Sequence, residues 1–234
     1  MAENNNWMID NNDPARLEIV ERAKQLGITG TPDKAAHELG PITLADGRIV
    51  QAHVVHAVDP IISDGDEVVM INRVNPPGKG MPALPGGLID PTKGGGVESA
   101  VQAAAREASE EASAEGLEKV HSELIGTRNF DRPFDVRVAT SNGLFEKYGV
   151  KEGDIFLVST QAVRFDVPGL KNTKLHAGDD AEPGTARRVE IASLTKDMMG
   201  IPDHFDMIVE AFPEKFRAPP PVTAAPRAKA PRFG

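Results

Sequence analysis

The chain has 234 residues, 40% of them hydrophobic and 26% charged, with no cysteine and a formal net charge of −9 at pH 7. This composition is typical of a globular protein with one domain of ordinary size, and it excludes disulfides and thiolate metal sites. The acidic balance argues against nucleic acid as the main partner, since duplex binding needs clustered positive charge. With no run of about 18 apolar residues and no signal-peptide pattern, we expect a cytoplasmic protein without a membrane partner.

Residues 1–45 are predicted to form a helical appendage to the main domain. Asp13 and Pro14 favour the start of a first helix, and Gly27 favours its end. A second short helix is expected within residues 32–40. The sequence leaves open whether this appendage covers a sheet edge or forms the contact of a homodimer.

A sheet is predicted to begin after the appendage. The β-branched content of residues 48–58 and 67–74 indicates two strands joined by a turn. His53 and His56 would lie on opposite faces of the first strand, which favours structural roles over a shared metal site. The proline- and glycine-rich residues 75–87 follow as a loop.

This loop leads into one predicted helix that concentrates acidic side chains on a single edge. At about 100° per residue, small apolar residues fall in one arc and three carboxylates in another, well-separated arc. The apolar set is Val101, Ala105, Ala108 and Ala112, and the acidic set is Glu107, Glu110 and Glu111. Like charges at this spacing each destabilise a helix by roughly 0.2–0.5 kcal/mol.

Something must compensate this acidic edge. A solvated charged face is the ordinary interpretation, but such faces interleave Lys or Arg, and Arg106 is the only base between residues 97 and 117. A hard divalent cation with oxygen ligands is the better compensator, Mg²⁺ by default and Mn²⁺ as the alternative.

The spacing of these residues resembles the Nudix box, G-x5-E-x7-R-E-U-x-E-E-x-G-U, in which U is aliphatic. Glu98, Arg106, Glu107, Glu110 and Glu111 match its charged positions in register. Two departures are a longer segment before the first of these acids and a serine in place of the box's second glycine. Neither departure touches the acidic positions.

The resemblance implies roles for the residues of the box. The implied metal ligands are the Gly86 carbonyl and the carboxylates of Glu107, Glu110 and Glu111. The same three glutamates and Arg106 are the implied catalytic residues. Glu107 is expected to act as ligand or general base, Arg106 to orient a neighbouring carboxylate, and Glu98 to support the ligands without binding the metal itself.

Further segments are similar to the ADP-ribose pyrophosphatase-like branch of the Nudix family, over roughly residues 50–212. They read NRVNPPGKGMPALPGG, FDRP and AGDDAE. This resemblance implies an α/β/α sandwich around a mixed β-sheet and hydrolysis of a nucleoside diphosphate linked to another group. The hypothesis is conversion of ADP-ribose to AMP and ribose 5-phosphate.

Four residues are candidates for substrate binding, namely Arg73, Lys79, Gly87 and Arg132. For Arg73 and Lys79, simple solvation near a loop is an equal alternative. Two other functions also remain open. One is hydrolysis of another nucleotide-sugar or dinucleotide diphosphate, and the other is a non-catalytic ligand sensor on the same fold.

The second half of the chain is predicted to complete the sheet and to add a helix. Strands are expected over residues 121–130, 134–139, 154–163 and 187–192, and a final helix over residues 203–212. The long loop at residues 141–153 is a candidate for substrate selection. An additional acid from this side would be one of Asp135, Glu146, Glu152 and Asp154. The predicted Nudix domain spans residues 46–216, and residues 217–234 are expected to be a disordered Pro/Ala-rich tail.

Overall fold

The computed structural model describes residues 9, 12–27, 32–75, 78–112, 114, 117, 120–128, 136–139, 146–178 and 181–217. The strands are β1 (Ala36–Thr43), β2 (Ile49–Ser63), β3 (Glu67–Asn72), β4 (Pro82–Ala83), β5 (Gly87–Leu88), β6 (Ser122–Arg128), β7 (Val136–Val138), β8 (Ile155–Asp166) and β9 (Arg187–Glu190). The α-helices are α1 (Ala15–Gln25), α2 (Ala100–Ala112), α3 (Pro202–Ala211) and α4 (Pro213–Phe216), and a 3₁₀ helix spans Glu146–Tyr148.

The strands of this part of the chain form one mixed sheet built around a parallel pair. β2 and β8 run parallel from Ala52 opposite Ile155 to Ser63 opposite Asp166. The main strand order is β4-β3-β2-β8-β6, with β1 and β5 also on β2, β7 on β8 and β9 on β3. β2 is buried along most of its length, as expected for a parallel strand covered on both faces.

Helices cover both faces of this sheet. The side chains of each strand alternate between the two faces, so apolar residues are available for packing on both. Val58 and Ile62 of β2 belong to the core cluster that contains Ala104 of α2. Ile61 points the other way and belongs to the cluster that contains Ile208 of α3. Full burial of each such aliphatic side chain contributes about 1.5–3 kcal/mol. The predicted α/β/α sandwich around a mixed sheet is therefore confirmed.

The N-terminal segment contains the first predicted helix but not the second. α1 is confirmed, and Asp13 Oδ1 accepts a hydrogen bond from the Ala15 N–H over 2.9 Å at its start. The helix expected within residues 32–40 is wrong, because β1 instead pairs antiparallel with β2. The alanine and charged residues there favour a helix by local propensity, but pairing along β2 outweighs that weak preference. A bulge near Gly40, whose φ is 83°, adapts the strand.

The remaining predicted elements are present, with some changed boundaries. β2 continues past its predicted end at Val58 and includes Pro60, which lacks an N–H for the sheet. Along this edge of β2, the pairing with β5 ends at Val58 and the pairing with β3 is at Ser63. Pro60 lies between these two pairings, where no N–H is needed for either partner. Five predicted strands and the final predicted helix are confirmed as β3, β6, β7, β8, β9 and α3. They were expected at residues 67–74, 121–130, 134–139, 154–163, 187–192 and 203–212. Residues 129–130 and 134–135 lie outside the described residues.

Among the helices described here, none has the length and apolar content needed to cross a bilayer. The predicted tail at 217–234 lies outside the described residues except for Arg217.

Candidate active site

The acidic edge of α2 is partly buried rather than fully turned to solvent. Glu107 is 8% exposed and Glu111 is 4% exposed, whereas the Glu110 side chain is 43% exposed. Two of the three glutamates in the acidic arc are therefore buried, and the third is half exposed. The alanines that face the sheet let α2 approach closely, so that its neighbouring acids reach under the preceding loop.

The glycine loop, residues 84–87, lies directly against these two buried carboxylates. The Gly86 N–H donates a hydrogen bond to Glu111 Oε2 over 2.8 Å. At Gly87 an added Cβ would lie 2.4 Å from the Glu107 carboxyl carbon, closer than any real contact. Glycine at position 87 therefore permits the loop backbone and the Glu107 carboxylate to occupy adjoining space.

Arg106 connects the acids of the box to one another. Its Nη1 lies 2.6 Å from Glu107 Oε1 and 3.0 Å from Glu110 Oε2. Its Nε lies 3.0 Å from Glu98 Oε1, and its Nη2 donates to the Leu88 carbonyl over 2.8 Å. One planar guanidinium thus fixes the directions of three carboxylates and ties them to β5.

The pKa values of Glu107 and Arg106 are both raised, which disfavours the charged form of the glutamate and favours that of the arginine. Burial raises the pKa of Glu107 to about 7, although the neighbouring Arg106 partly opposes the shift. Burial alone would lower the pKa of Arg106, but its hydrogen bond to Glu98 and the charge of Glu107 outweigh that effect and raise it. The guanidinium therefore stays charged, while Glu107 is poised between its two protonation states near neutral pH.

The donors at this site fit a hard cation by their chemical type. Carboxylate oxygens are the ligands that Mg²⁺ and Mn²⁺ prefer, and Glu107 and Glu111 bring theirs against the glycine loop where no side chain intervenes. Within the described residues, no group of three or more His, Cys, Asp or Glu side chains is spaced to hold a metal ion. Arg106 is the positive group that contacts Glu107 and Glu110 in this structure.

The predicted substrate-binding residues occupy three different settings. Gly87 belongs to the glycine loop. Arg73 directly follows β3, where its carbonyl accepts from the Gly80 N–H over 2.8 Å and closes the turn that carries the exposed Lys79. Arg132 lies outside the described residues. The turn after β3 therefore leads directly into the glycine loop through β4.

The four candidate acids of the long loop differ in their surroundings. Asp154 Oδ2 lies 3.1 Å from His53 Nε2 and accepts from the Lys151 N–H over 2.8 Å, an arrangement that fits a structural role. Glu152 is exposed. Asp135 and the side chain of Glu146 lie outside what the structure describes.

A contact that the sequence did not predict joins the long loop to the box. The Tyr148 hydroxyl donates to Asp90 Oδ1 over 2.6 Å, and Lys147 Nζ lies 2.7 Å from the same oxygen. The Asp90 N–H in turn donates to Glu98 Oε2 over 3.1 Å. This chain of contacts connects the 3₁₀ helix of the long loop to the carboxylate that binds Arg106.

Two further polar residues near the glycine loop were also missed as site residues. Asp59 interrupts the apolar run of β2, a signal that was available in the sequence. His204 falls within the predicted final helix, and it is buried there beside Leu84. Asp59 of β2 and His204 of α3 are distant in sequence, and the packing of α3 on the sheet brings them into contact.

A NUDIX domain is identified over residues 53–194. Because this match spans more than half of the chain and includes the whole box, the chain belongs to the NUDIX family. The fold and the family together define the protein as a pyrophosphohydrolase of the Nudix type, a class that generally uses divalent metals. No curated protein sequence matches this chain.

Several solved structures are similar to this one at low sequence identity. A NUDIX hydrolase from Nitrosomonas europaea is 14% identical with a TM-score of 0.41, covering 74% of this chain and 85% of that chain. A bifunctional NMN adenylyltransferase/ADP ribose pyrophosphatase from Francisella tularensis, complexed with AMP and Mn ion, is 20% identical with a TM-score of 0.43, covering 86% of this chain and 48% of that chain. The NUDIX domain of Shewanella oneidensis NrtR, complexed with ADP ribose, is 18% identical with a TM-score of 0.41, covering 69% and 88% respectively.

Proposed function

We propose that this protein hydrolyses the pyrophosphate bond of a nucleoside diphosphate linked to another group, with Mg²⁺ as its cation. The proposed substrate is ADP-ribose, and the products are AMP and ribose 5-phosphate. The observation that carries the proposal is the close approach of a glycine loop to two buried carboxylates, Glu107 and Glu111.

The reaction adds water across the bond between two phosphates. A water oxygen forms a new bond to one phosphorus, the bridging P–O bond breaks, and the water's proton must be accepted by the protein or solvent. A bound divalent cation would withdraw negative charge from the phosphates and make water a better nucleophile. Glu107, whose pKa burial raises to about 7, suits either ligation or acceptance of that proton.

The other residues of the box support this chemistry through their contacts. Arg106 holds Glu107 and Glu110 in fixed directions, and Glu98 holds Arg106. Glu111 and the Gly86 carbonyl complete the proposed ligand set. Because Arg106 contacts two of these carboxylates directly, we expect it to remain charged and to limit how far they can separate.

The proposed phosphate contacts come from the turn before the glycine loop. Lys79 is exposed on that turn and Arg73 lies at its base, and both side chains are positively charged. Arg132 is retained as a third candidate from its match to the FDRP segment of the resembling branch. Positive side chains in contact with a polyphosphate would oppose its repulsion by an acidic protein.

A substrate panel with Mg²⁺ tests this proposal. The full chain is incubated with ADP-ribose, other nucleotide sugars and dinucleoside polyphosphates, with and without a chelator, and the products are resolved by chromatography. Release of AMP and ribose 5-phosphate fastest from ADP-ribose supports the proposal. Faster cleavage of another diphosphate would change the substrate, and ligand binding without any monophosphate product would favour the sensor function.

A further inference from the structure

A buried histidine from the last long helix contacts the glycine loop at a point the acids do not reach. His204 lies in the first turn of α3 and is 2% exposed. The Leu84 N–H donates a hydrogen bond to His204 Nδ1 over 2.9 Å. A nitrogen that accepts this bond carries no proton, so the proton of the neutral ring is on Nε2.

An aspartate of β2 contacts both this histidine and the glycine loop. Asp59 Oδ2 lies 3.3 Å from His204 Nε2. The other oxygen, Oδ1, lies against Gly86, where an added Cβ would be only 2.1 Å away from it. The Asp59–His204 pair therefore meets the loop twice, at Leu84 and at Gly86, while Glu111 binds the Gly86 N–H.

The loop depends on such contacts because it is irregular. Leu84 follows β4, is 1% exposed and has its N–H satisfied by His204. A buried N–H that loses its acceptor is unfavourable, so the backbone would shift to find water or another partner. Any shift at Leu84 is transmitted through Pro85 to Gly86, whose N–H sets the position of Glu111.

We propose that His204 and Asp59 are positioning residues, which hold the glycine loop so that Gly86 and Gly87 meet Glu111 and Glu107. The proposal deepens the function assigned above and rests on it for its catalytic consequence. In this role neither residue needs to contact the substrate. Both act through the backbone of the loop, in the way that outer partners orient the ligands of other metal sites.

A matched pair of variants separates positioning from simple filling of space. In His204→Asn the amide oxygen is as many bonds from the backbone as Nδ1, so it can accept from Leu84. In His204→Gln the amide lies one methylene further out and cannot take that place, although its volume is closer to that of histidine. Positioning predicts that Asn is the better substitute, whereas space filling predicts Gln.

The first readout is amide hydrogen exchange at Leu84 and Gly86, followed by NMR without metal or substrate. In His204→Gln we expect both amides to exchange about tenfold faster or more, since both leave their acceptors more often. In His204→Asn we expect rates close to wild type. The control is Ile208→Val, a buried change in the same helix that should leave both amides protected.

The second readout is turnover of the best substrate of the panel at saturating Mg²⁺. We expect His204→Gln to lower kcat by about 10–100-fold with a smaller change in KM, as for loss of other outer partners of ligands, and Ile208→Val to keep the wild-type kcat. Equal exchange and equal kcat in the Asn and Gln variants, or better performance by Gln, would overturn the proposal. Because exchange is measured without substrate, an inactive wild type would reject the proposed function while the exchange result still decides the role of His204.

Discussion

At the scale of single residues, the site depends on how closely the backbone of the glycine loop approaches two carboxylates of α2. The sequence predicted which acids belong to the box, because the spacing of the box is local. It did not indicate that Glu107 and Glu111 are buried, because a helical wheel contains no information about the loop that covers them. Asp59 and His204 were missed as site residues because contacts between distant segments decide their roles.

Glu111→Gln is expected to abolish turnover while leaving the fold intact. The amide oxygen of glutamine can still accept from the Gly86 N–H, but the proposed charged ligand of the cation is lost, so kcat should fall by more than the roughly 10–100-fold seen for outer partners of ligands. Steady-state kinetics and thermal unfolding measure the two effects. Glu123→Gln, an exposed change on β6, is the control. Near-wild-type turnover by Glu111→Gln would contradict the role given to this residue.

Gly86→Ala is expected to destabilise the protein. The added Cβ would lie 2.6 Å from the Val58 carbonyl oxygen, a backbone atom that cannot move aside, and such overpacking costs about 1–3 kcal/mol. Denaturant unfolding measures this free energy. Gly94→Ala is the matched control, since nothing lies within 4 Å of a Cβ there. Equal unfolding free energies for the two variants would show that the loop is not packed as described.

At the scale of elements, the strands β2, β3, β6, β7, β8 and β9 and the helices α1, α2 and α3 follow from their patterns, whereas β1 and the two-residue strands β4 and β5 do not. Residues 32–40 carry a short, alanine-containing stretch that favours a helix locally, and only the presence of β2 beside it makes a strand the better state. The link between the long loop and the box is similarly absent from local pattern. Lys147 and Tyr148 lie far along the chain from Asp90, and the fold brings them into contact.

The ionisation of Tyr148 tests that link. Burial, followed by its hydrogen bond to Asp90, raises the pKa of this phenol above its usual value of about 10. Tyr148 is the only tyrosine in the chain, so the ultraviolet absorbance of tyrosinate reports on it alone. We expect no tyrosinate near pH 10 while circular dichroism shows the fold intact, and an earlier transition in Asp90→Asn. A midpoint near 10 in the folded wild type would mean that the loop does not bind Asp90.

At the scale of the whole molecule, one buried histidine makes stability depend on pH. His56 is 1% exposed, its ring contacts His37 edge to face, and neither of its ring nitrogens has a hydrogen-bond partner in the described structure. Burial, and then the neighbouring His37, lower the pKa of His56 to about 4, against a small opposing effect of Asp33. The folded protein therefore holds this imidazole neutral, whereas the unfolded chain takes up a proton at higher pH.

Acid is therefore expected to destabilise the fold through His56. As pH falls from 6.5 towards 4 the unfolded state binds the proton first, so the free energy of unfolding should decrease by about 3 kcal/mol. Urea unfolding at several pH values measures this slope. His56→Leu should remove it, while His121→Gln, a change at an exposed histidine, should retain it. An unchanged slope in His56→Leu would assign the acid sensitivity to other groups.

The parallel pairing of β2 with β8 has a consequence for how the chain reaches its native state. Every pair in that ladder joins residues about 100 positions apart, a separation that slows folding because a large loop must close first. During synthesis, β2 leaves the ribosome long before Asp166 does, so its apolar edge stays unpaired until β8 has been made. We expect nascent chains that end before β8 to bind chaperones or aggregate, and refolding of the complete chain to be limited by the formation of this one ladder.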